Sequence, residues 1–510
     1  MCLTAESTIR ATMQDTAEIL DRAASLASIE LQRNGFVPSS LQVQNINAMT
    51  FELSSLLLRL GGEDDRLRAL RQLVCTQIDI QRSIAAPVRR LPPEILALVF
   101  IQFVEVEDQS PYRTPRLVLL TVGRVCSTWR IVARSTPELW THIWTQVHNP
   151  TVTYPDYAAM SGALPLYIAH TTLGRHNAFH RVLKQLRPQA ARWCSVILVG
   201  SCSSFSKQPA VALPSLRVAK LSLRHRSKPG VLDFLACASE LRILEIRYII
   251  DRHDNDNWTG LSIEFDFPAF SVLTHLLLDF NEHNCIPADK LLHLLSNCSA
   301  SLTHLSLNCI IRRPSIDAIL PAVLPIEMPS LLVAKITGAC CGILECIIAP
   351  AINKLVLTNN VMGLCDPILV LSTFMSHSPH HSAIERLTLI DGFSRHPEDI
   401  IGCLEQLEGL QELRVEEMAP FVLTGAVLDR LTCTDDRPPL LPRLTRMKVK
   451  VRDEEMLSEF KDALRAMSQS RQTVRRWATR QVVALEPVEV VLGFGMGSTF
   501  SDEHELGVYG

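Results

Sequence analysis

Three glycines near the end of this 510-residue chain have the spacing of a phosphate-binding loop. Gly493, Gly495 and Gly497 alternate with other residues and follow the apolar segment Val488–Leu492. A dinucleotide site also needs a helix directly after the glycines and an acidic residue about twenty positions further on. The residues after Gly497 supply neither, so the pattern does not predict a nucleotide site.

Two other clusters contain residue types that bind metals. His377, His380 and His381 lie close together and would need a fourth ligand to hold a zinc ion. Ser378-Pro379 within this segment favours a solvated loop instead. The cysteines at 340, 341 and 346 lack paired zinc-ligand spacing and lie among apolar residues, which predicts buried thiols. We therefore expect no metal site.

A basic cluster, Arg471–Arg480, surrounds Trp477 and raises the question of nucleic-acid binding. A solvated helical face explains the same residues, and the whole chain carries a formal charge of −3. The sequence contains no Walker A loop, no G-x-S-x-G elbow and no H-E-x-x-H motif. These observations predict a protein that is not an enzyme, needs no cofactor and does not bind nucleic acid.

Composition indicates the cellular compartment. The chain is 47% hydrophobic and 20% charged, which is ordinary for a folded protein in water. No signal-peptide pattern and no uninterrupted apolar segment of bilayer-spanning length is evident. Fifteen cysteines occur without one C-x-x-C pair, which indicates reduced thiols. We expect a cytoplasmic or nuclear protein with no membrane contact.

The element around which the chain is organised begins at Leu91-Pro92-Pro93-Glu94. Pro93 fits the first turn of a helix, where its missing N–H costs nothing. The negative charge of Glu94 is stabilising near the positive N-terminal end of a helix. From Ile95 to Val104 only Gln102 is polar. A helix that is apolar all round must be covered on every side. Its own neighbours can cover one side, so the other is available to a partner.

This segment and its sequel resemble the F-box. The shared features are L-P-P-E-I-L and V-F from Leu91 to Phe100, V-C-x-x-W-R from Val125 to Arg130, and P-E-L-W from Pro137 to Trp140. With Pro87–Arg90 in front, the pattern is similar to a variant from large families of fungal F-box proteins. The polar segment 105–116 departs from the family as an enlarged loop, and it leaves a second helix near 117–122 less well defined.

The residues before the F-box-like segment predict helices. Residues 6–34 form one helical pattern that Gly35 ends, and the polar residues 36–50 favour a loop. A second helix follows Gly61-Gly62, with an apolar stripe at Leu67, Leu70, Val74 and Ile78. Two alternatives remain for this helix: packing against the F-box-like segment, or coiled-coil pairing.

From about residue 190 to residue 450 the chain repeats the pattern L-x-x-L-x-L, which predicts short strands with one buried face. Helical patterns occupy the spaces between the strands. A strand and a helix cannot bury their apolar face alone, so the units must stack. The pattern resembles irregular leucine-rich repeats of F-box proteins. Its middle residues are Leu221, Leu244, Leu276, Leu305, Ile336, Leu355, Leu387, Leu413 and Met447, with Trp193-Val196-Leu198 as a degraded first copy.

The two resemblances together imply an architecture and a function. The architecture is α/β: an N-terminal helical region (1–84), a small all-α F-box (85–147) and a leucine-rich-repeat solenoid, an irregular horseshoe with a C-terminal cap (148–500). The function is substrate recognition in a Skp-cullin-F-box ubiquitin ligase, which needs a Skp-family adaptor and through it a cullin scaffold. The alternative is an interaction scaffold without ubiquitin transfer. The implied adaptor-binding residues are Leu91, Pro92, Ile95, Leu96, Val99, Phe100, Val125, Cys126 and Trp129, although Trp129 also suits a purely structural role.

The repeats also suggest a substrate surface. In L-x-x-L-x-L, the residue just before each middle position points away from the buried face. This column is rich in basic residues and histidine, which favours an acidic or phosphorylated protein segment; the alternative is that these residues only keep the sheet soluble. The candidate substrate-binding residues are Lys220, His275, His304, Lys335, Lys354, Arg386 and Arg446.

Overall fold

The structure is a computed structural model of the full chain. It describes residues 2–60, 65–107, 121–145, 154–170, 182–201, 205, 210–224, 232–249, 267–280, 285–312, 325–359, 366–377, 384–391, 396–417, 422–434, 436–452, 454–473, 475–477 and 480–492. The chain divides into two compact units, residues 1–169 and 170–510. This division places the N-terminal helices in the same unit as the F-box-like segment, and it falls beyond the 147/148 boundary drawn from the sequence.

Four helices open the first unit: α1 (Cys2–Leu26), α2 (Ile29–Arg33), α3 (Ser40–Arg59) and α4 (Asp65–Ala85). Helices α1, α3 and α4 share a buried core that includes Ala23, Leu53 and Val74. The prediction of a loop over 36–50 is wrong, because α3 begins at Ser40. Ser39 and Gln42 form a capping box there, with reciprocal side-chain and backbone hydrogen bonds.

The rest of the first unit is built around helix α5 (Pro93–Glu107), which a 3-10 turn (Pro87–Arg90) precedes. It continues through the short α6 (Gly123–Val125), α7 (Ser127–Ser135), a 3-10 turn (Pro137–Trp140), β1 (His142–Thr145), α8 (Tyr154–Met160) and β2, whose range is Leu166–His170. Trp140 is fully buried and donates its indole N–H to the Ala133 carbonyl at 2.7 Å. Most of the predicted helix over 117–122 lies outside the described residues.

The second unit is dominated by a parallel sheet. Its strands, in spatial order, are β3 (Trp193–Ser201), β4 (Val218–Arg224), β5 (Ile243–Ile249), β6 (His275–Asp279), β8 (His304–Asn308), β11 (Val333–Thr337), β13 (Lys354–Thr358), β14 (Arg386–Ile390), β15 (Glu412–Glu417), β16 (Arg446–Val451) and β19 (Glu489–Leu492). Three two-stranded sheets accompany it: β7 (Cys285–Pro287) with β9 (Ile310–Arg312), β10 (Ile326–Glu327) with β12 (Ile347–Ile348), and β17 (Arg475–Trp477) with β18 (Arg480–Val482). The prediction of a mixed α/β chain with N-terminal helices is confirmed.

Helices alternate with the later strands, as the repeat pattern predicts. They are α9 (Ala288–Cys298), α10 (Pro367–His377), α11 (Pro397–Glu405), α12 (Gly425–Leu431) and α13 (Glu454–Ser470). Neighbouring helices from α10 to α13 pack against one another. Within the part of the chain that the structure describes, no helix is long and apolar enough to cross a membrane.

The sheet register corrects two of the predicted repeat units. Leu276 pairs with Leu305, as expected, and both are buried. On β4 and β11, however, the same row is occupied by Ala219 and Ala334 rather than by Leu221 and Ile336. An alanine occupies the middle position of each of these units, so the next inward residue, Leu221 or Ile336, looked like the middle of the pattern. The two units are therefore shifted by two residues relative to the sequence alignment.

Candidate interaction surfaces

Helix α5 has one buried side and one exposed side. Leu96 and Phe100 are each 2% exposed and pack in a core with Val132 and Leu139. On the other side, a stripe of apolar side chains stays in contact with water. Ile95 is 45% exposed, Leu98 58%, Val99 45% and Phe103 37%. These residues follow i, i+3, i+4 and i+8 spacing and so lie along one face of the helix. We call this stripe the α5 apolar face.

The residues predicted to bind an adaptor separate into three groups by burial. Pro92, Ile95 and Val99 are exposed; Leu91, Val125 and Trp129 are half-buried; Leu96, Phe100 and Cys126 are buried. The buried group cannot touch a partner without rearrangement, because the core of the first unit encloses it. Leu98, Phe103 and Ile131 are exposed apolar residues that the sequence analysis did not select. Helical spacing from Ile95 identifies the first two.

Trp129 and Cys126 have structural roles at the start of α7. The Trp129 ring packs on Phe100 with centroids 5.0 Å apart. Cys126 is the N-cap residue, and its Sγ accepts a hydrogen bond from the Trp129 backbone N–H at 3.5 Å. A capping side chain satisfies a backbone donor that the helix leaves without a partner. These contacts fix α7 against α5 and hold the α5 apolar face in place.

A small crevice lies beside the start of α5. It is lined by Gly35, Arg89, Leu91, Pro93, Leu96, Cys126, Thr128 and Trp129. The guanidinium of Arg89 is buried there and donates to the Ser83 carbonyl at 2.6 Å and to the Gln32 carbonyl at 3.2 Å. Because backbone oxygens already occupy these donors, Arg89 ties α2 and α4 to the start of α5, and the crevice gains no reactive group from it.

The second surface is the side of the parallel sheet whose residues alternate with the buried ones. We call it the outer face. The register places His275, His304, Lys354, Arg386 and Arg446 in one row, but it places Lys220 and Lys335 two residues further along their strands. The predicted single basic column is therefore wrong for those two lysines, for the same reason that the alignment of their units is wrong.

Two histidines of that row stack on each other and add little positive charge. The rings of His275 and His304 have centroids 4.1 Å apart and are nearly parallel. Each Nδ1 lies 2.9 Å from the hydroxyl of the preceding threonine, Thr274 or Thr303. Burial, with a smaller effect from His304, lowers the pKa of His275 to about 4. Burial and then Lys354 lower the pKa of His304. Both shifts favour the neutral form of the ring at pH 7.

The clusters that first suggested chemistry do not form a reactive site within the described residues. Three or more His, Cys, Asp or Glu side chains do not converge on a metal position anywhere in the described ranges. His380, His381 and the glycines at 493–497 lie outside those ranges. Cys340 is fully buried, its Sγ lies 2.9 Å from that of Cys309, and burial raises the pKa of its thiol well above the ordinary value. A buried protonated thiol is unreactive.

Comparison with known proteins identifies part of the first unit. A family model described as F-box-like matches residues 88–146, so this segment, which contains the α5 apolar face, is an F-box-like domain. The comparison with curated proteins gives no match. Among solved structures, the chain is similar to a chain from the crystal structure of the Rad7 and Elc1 complex in yeast, with 12% identity, 78% of this chain and 95% of that chain covered, and a TM-score of 0.30. A TM-score of 0.30 does not establish a shared fold.

Proposed function

We propose that this protein is the substrate-recognition subunit of a Skp-cullin-F-box ubiquitin ligase and that its F-box-like domain docks on a Skp-family adaptor. The observation that carries the proposal is the α5 apolar face, exposed within the matched segment 88–146. Water contact with apolar surface is unfavourable, and covering it gains roughly 25 cal/mol per Å². A partner with a complementary apolar groove would remove this cost.

The proposed docking surface combines predicted and newly found residues. Pro92, Ile95 and Val99 are retained from the sequence prediction, and Leu98 and Phe103 are added because they are exposed on the same helix. Leu91, Val125 and Trp129 border this surface and are half-buried. Leu96, Phe100 and Cys126 support the surface from beneath. The adaptor would in turn connect the protein to a cullin scaffold.

For residues 170–510 we propose a leucine-rich-repeat solenoid that captures the substrate. Support comes from the parallel register, in which one strand per unit contributes Leu244, Leu276, Leu305 and their equivalents to the same buried row. Such a unit cannot bury its apolar side without neighbours, which is the physical basis of stacked repeats. A substrate held there would be close to a ubiquitin-conjugating enzyme that carries ubiquitin. The resulting rise in effective concentration would accelerate the transfer of ubiquitin to the substrate.

Under this proposal the chain itself performs no covalent step. It works in the cytosol or the nucleus, where thiols stay reduced. Eleven cysteines whose side chains the structure describes are free, which supports this proposal of a reducing compartment.

The test is adaptor binding by a charged variant of the α5 apolar face. Ile95→Asp with Val99→Asp places two charges in the proposed interface, where each would be desolvated without a partner. We expect the Kd for a purified Skp-family adaptor to rise at least roughly 30-fold, as for the loss of interface hot spots. The measurement is co-purification followed by calorimetric titration.

A matched control uses exposed apolar residues of α3. Phe51 is 76% exposed and Leu58 86% exposed, and they lie two turns apart on that helix. Phe51→Asp with Leu58→Asp makes the same chemical change elsewhere in the first unit, and we expect unchanged adaptor binding. Equal binding by the Ile95, Val99 variant and the wild type would refute the docking surface. Adaptor binding without recruitment of a cullin would favour the scaffold function instead.

A further inference from the structure

The C-terminal end of α4 lies beside the start of α5 and has a backbone carbonyl that the helix cannot satisfy. The last four carbonyls of a helix find no N–H donor within that helix. Helix α4 ends at Ala85, so the Ser83 carbonyl would need the N–H of residue 87. That residue is Pro87, and proline has no N–H. The Ser83 carbonyl therefore requires a donor from outside α4.

Arg89 supplies this donor and also serves the end of α2. Its Nε donates to the Ser83 carbonyl at 2.6 Å, and one terminal nitrogen donates to the Gln32 carbonyl at 3.2 Å. The other terminal nitrogen donates at 3.2 Å to the Ser83 hydroxyl, which also accepts from the Gln32 side-chain amide at 2.6 Å. A positive charge is stabilising at the negative C-terminal end of a helix. Arg89 is thus a shared cap for the ends of two helices.

The geometry of this cap depends on a guanidinium. Arg89 is 8% exposed, so water competes little for its donors. A guanidinium presents its N–H groups in a rigid planar fork, whereas a lysine ammonium is a single nitrogen on a flexible stem. The three acceptors belong to α2 and α4. One side chain therefore fixes both helices relative to the turn Pro87–Arg90.

A second hydrogen bond joins the same corner to α7. Gly35 follows α2, and its carbonyl accepts from the Thr128 hydroxyl at 3.4 Å. The Gly35 N–H donates at 3.4 Å to the Gln32 carbonyl, which Arg89 also binds. Helix α7 in turn packs on α5 through the ring of Trp129. The N-terminal helices therefore hold the starts of both α5 and α7.

This corner borders the proposed docking surface. Arg89 lines the crevice beside α5 together with Leu91 and Trp129, which flank that surface. Only two residues separate the turn that contains Arg89 from the first residue of α5. A shift of the turn would therefore move the first turn of α5, where Ile95 begins the α5 apolar face. A surface that is already fixed before binding loses less conformational freedom on binding, and so it binds more tightly.

We propose that Arg89 is a positioning residue for adaptor docking, which fixes the N-terminal helices against the start of α5 and so preorganises the α5 apolar face. Arg89 acts through α5, because its own side chain is buried. The inference rests on the proposed function and extends it. The docking domain would comprise the N-terminal helices as well as the matched segment 88–146.

The test measures adaptor binding by variants of the full chain. Arg89→Met keeps a long side chain and removes its donors, and we expect the Kd for a purified Skp-family adaptor to rise about tenfold. Arg89→Lys keeps the charge and one donor nitrogen, and it should recover part of the loss. The matched control Arg82→Met removes the same charge from an exposed position of α4, and we expect it to bind as the wild type does.

A milder variant guards against failure of Arg89→Met to fold. Ser83→Ala removes the hydroxyl that joins Arg89 to the Gln32 side chain, and alanine suits a helix. The backbone hydrogen bonds of Arg89 remain in this variant. We therefore expect a smaller rise in Kd, about threefold.

Hydrogen exchange separates positioning from general destabilisation. The Leu96 N–H donates to the Pro92 carbonyl at 3.0 Å in the first turn of α5. In free Arg89→Met, mass spectrometry of peptides from this turn should show exchange about fivefold faster than in the wild type. Peptides from the parallel sheet should be unchanged, and saturating adaptor should restore wild-type protection in α5.

The contrary outcomes distinguish the inference from the proposed function. Wild-type binding together with unchanged binding by Arg89→Met and Ser83→Ala would overturn the inference and leave the proposed function standing. Equal losses for Arg89→Met and Arg82→Met would show a general effect of charge and would also overturn it. Faster exchange throughout the chain would assign Arg89 a purely structural role. A wild type that does not bind the adaptor would overturn the proposed function and the inference together.

Discussion

The two units of this protein depart from ordinary residue burial in opposite ways. The first unit leaves apolar side chains in water along α5, where Leu98 is 58% exposed. The second unit buries ionisable groups: Arg471 and Glu417 have no exposed surface. Charged residues are rarely buried unless they are paired or hydrogen-bonded, so each departure requires an explanation.

The explanations differ because the buried ionisable groups of the second unit find hydrogen-bond partners within that unit. The Arg471 guanidinium donates to the carbonyls of Leu431, Leu440 and Leu441. Glu417 accepts from the backbone N–H of Val422 at 2.5 Å. By contrast, nothing among the described residues covers the α5 apolar face. The comparison teaches that the buried ionisable groups have structural roles, whereas the exposed apolar stripe on α5, within the matched segment 88–146, marks the candidate site.

The largest expected effect tests whether a buried leucine of the second unit contributes more to the free energy of unfolding than an exposed leucine of α5. Leu305 is buried in the row of the sheet shared with Leu276. Leu305→Ala should lower the free energy of unfolding by about 2–5 kcal/mol. Leu98→Ala on α5 should change it by less than about 0.5 kcal/mol, because its side chain already contacts water. Denaturant melts measure both. A comparable loss for Leu98→Ala would mean that the α5 apolar face is part of a core.

The next effect concerns the buried carboxyl of Glu417. Burial raises its pKa from 4.5 to about 8, and Asp391 adds to the shift. Between these values the unfolded chain releases a proton that the native state keeps, so this group's contribution to stability is full below pH 4.5 and is lost as pH rises toward 8. Glu417→Gln should therefore stabilise the protein relative to wild type by about 2–3 kcal/mol more at pH 8 than at pH 5.

Thermal and denaturant melts at both pH values measure this difference. Glu489→Gln, at a side chain that is 60% exposed and pairs with Lys448, provides the same substitution at the surface. If Glu417→Gln changes the stability relative to wild type by the same amount at both pH values, Glu417 is ionised in the folded protein. The contrast between the two units would then rest on Arg471 alone.

A smaller effect is expected where the N-terminal helices meet the F-box-like domain. Gly35 has φ +73°, and an added Cβ would lie 2.0 Å from Thr128 Oγ1. Gly162 has φ +59° with no atom within 4 Å of an added Cβ. Left-handed backbone costs a non-glycine residue about 1–2 kcal/mol. We expect about 1 kcal/mol of destabilisation for Gly162→Ala and roughly 2 kcal/mol for Gly35→Ala, because only the second also displaces Thr128.

Chemical denaturation of both glycine variants provides the measurement. Equal destabilisation by Gly35→Ala and Gly162→Ala would show that Thr128 moves aside without cost. The N-terminal helices would then be only loosely held beside α5. A larger loss for Gly35→Ala, accompanied by weaker adaptor binding, would show that these helices position the α5 apolar face.

The sequence by itself determined the elements whose signals are local. Pro93 and the apolar residues after it predicted α5, and alternating apolar residues predicted the strands of the second unit. Helix starts also depend on nearby residues, and the Ser39–Gln42 capping box was a local signal for α3. The prediction of a loop over 36–50 is wrong because the polar residues at the start of α3 face water, while the buried side of the helix consists of widely spaced apolar residues such as Ile46, Met49 and Leu53.

Only the tertiary structure decided which side of each element is free. An all-apolar helix has no polar side to show its orientation, so the burial of Leu96 and Phe100 and the exposure of Ile95 and Val99 depend on α7 and on the turn Pro137–Trp140 that pack against α5. Strand register is likewise set between strands distant in sequence, and the alanines at 219 and 334 concealed it. The composition of the outer face therefore became visible only once the strands were paired.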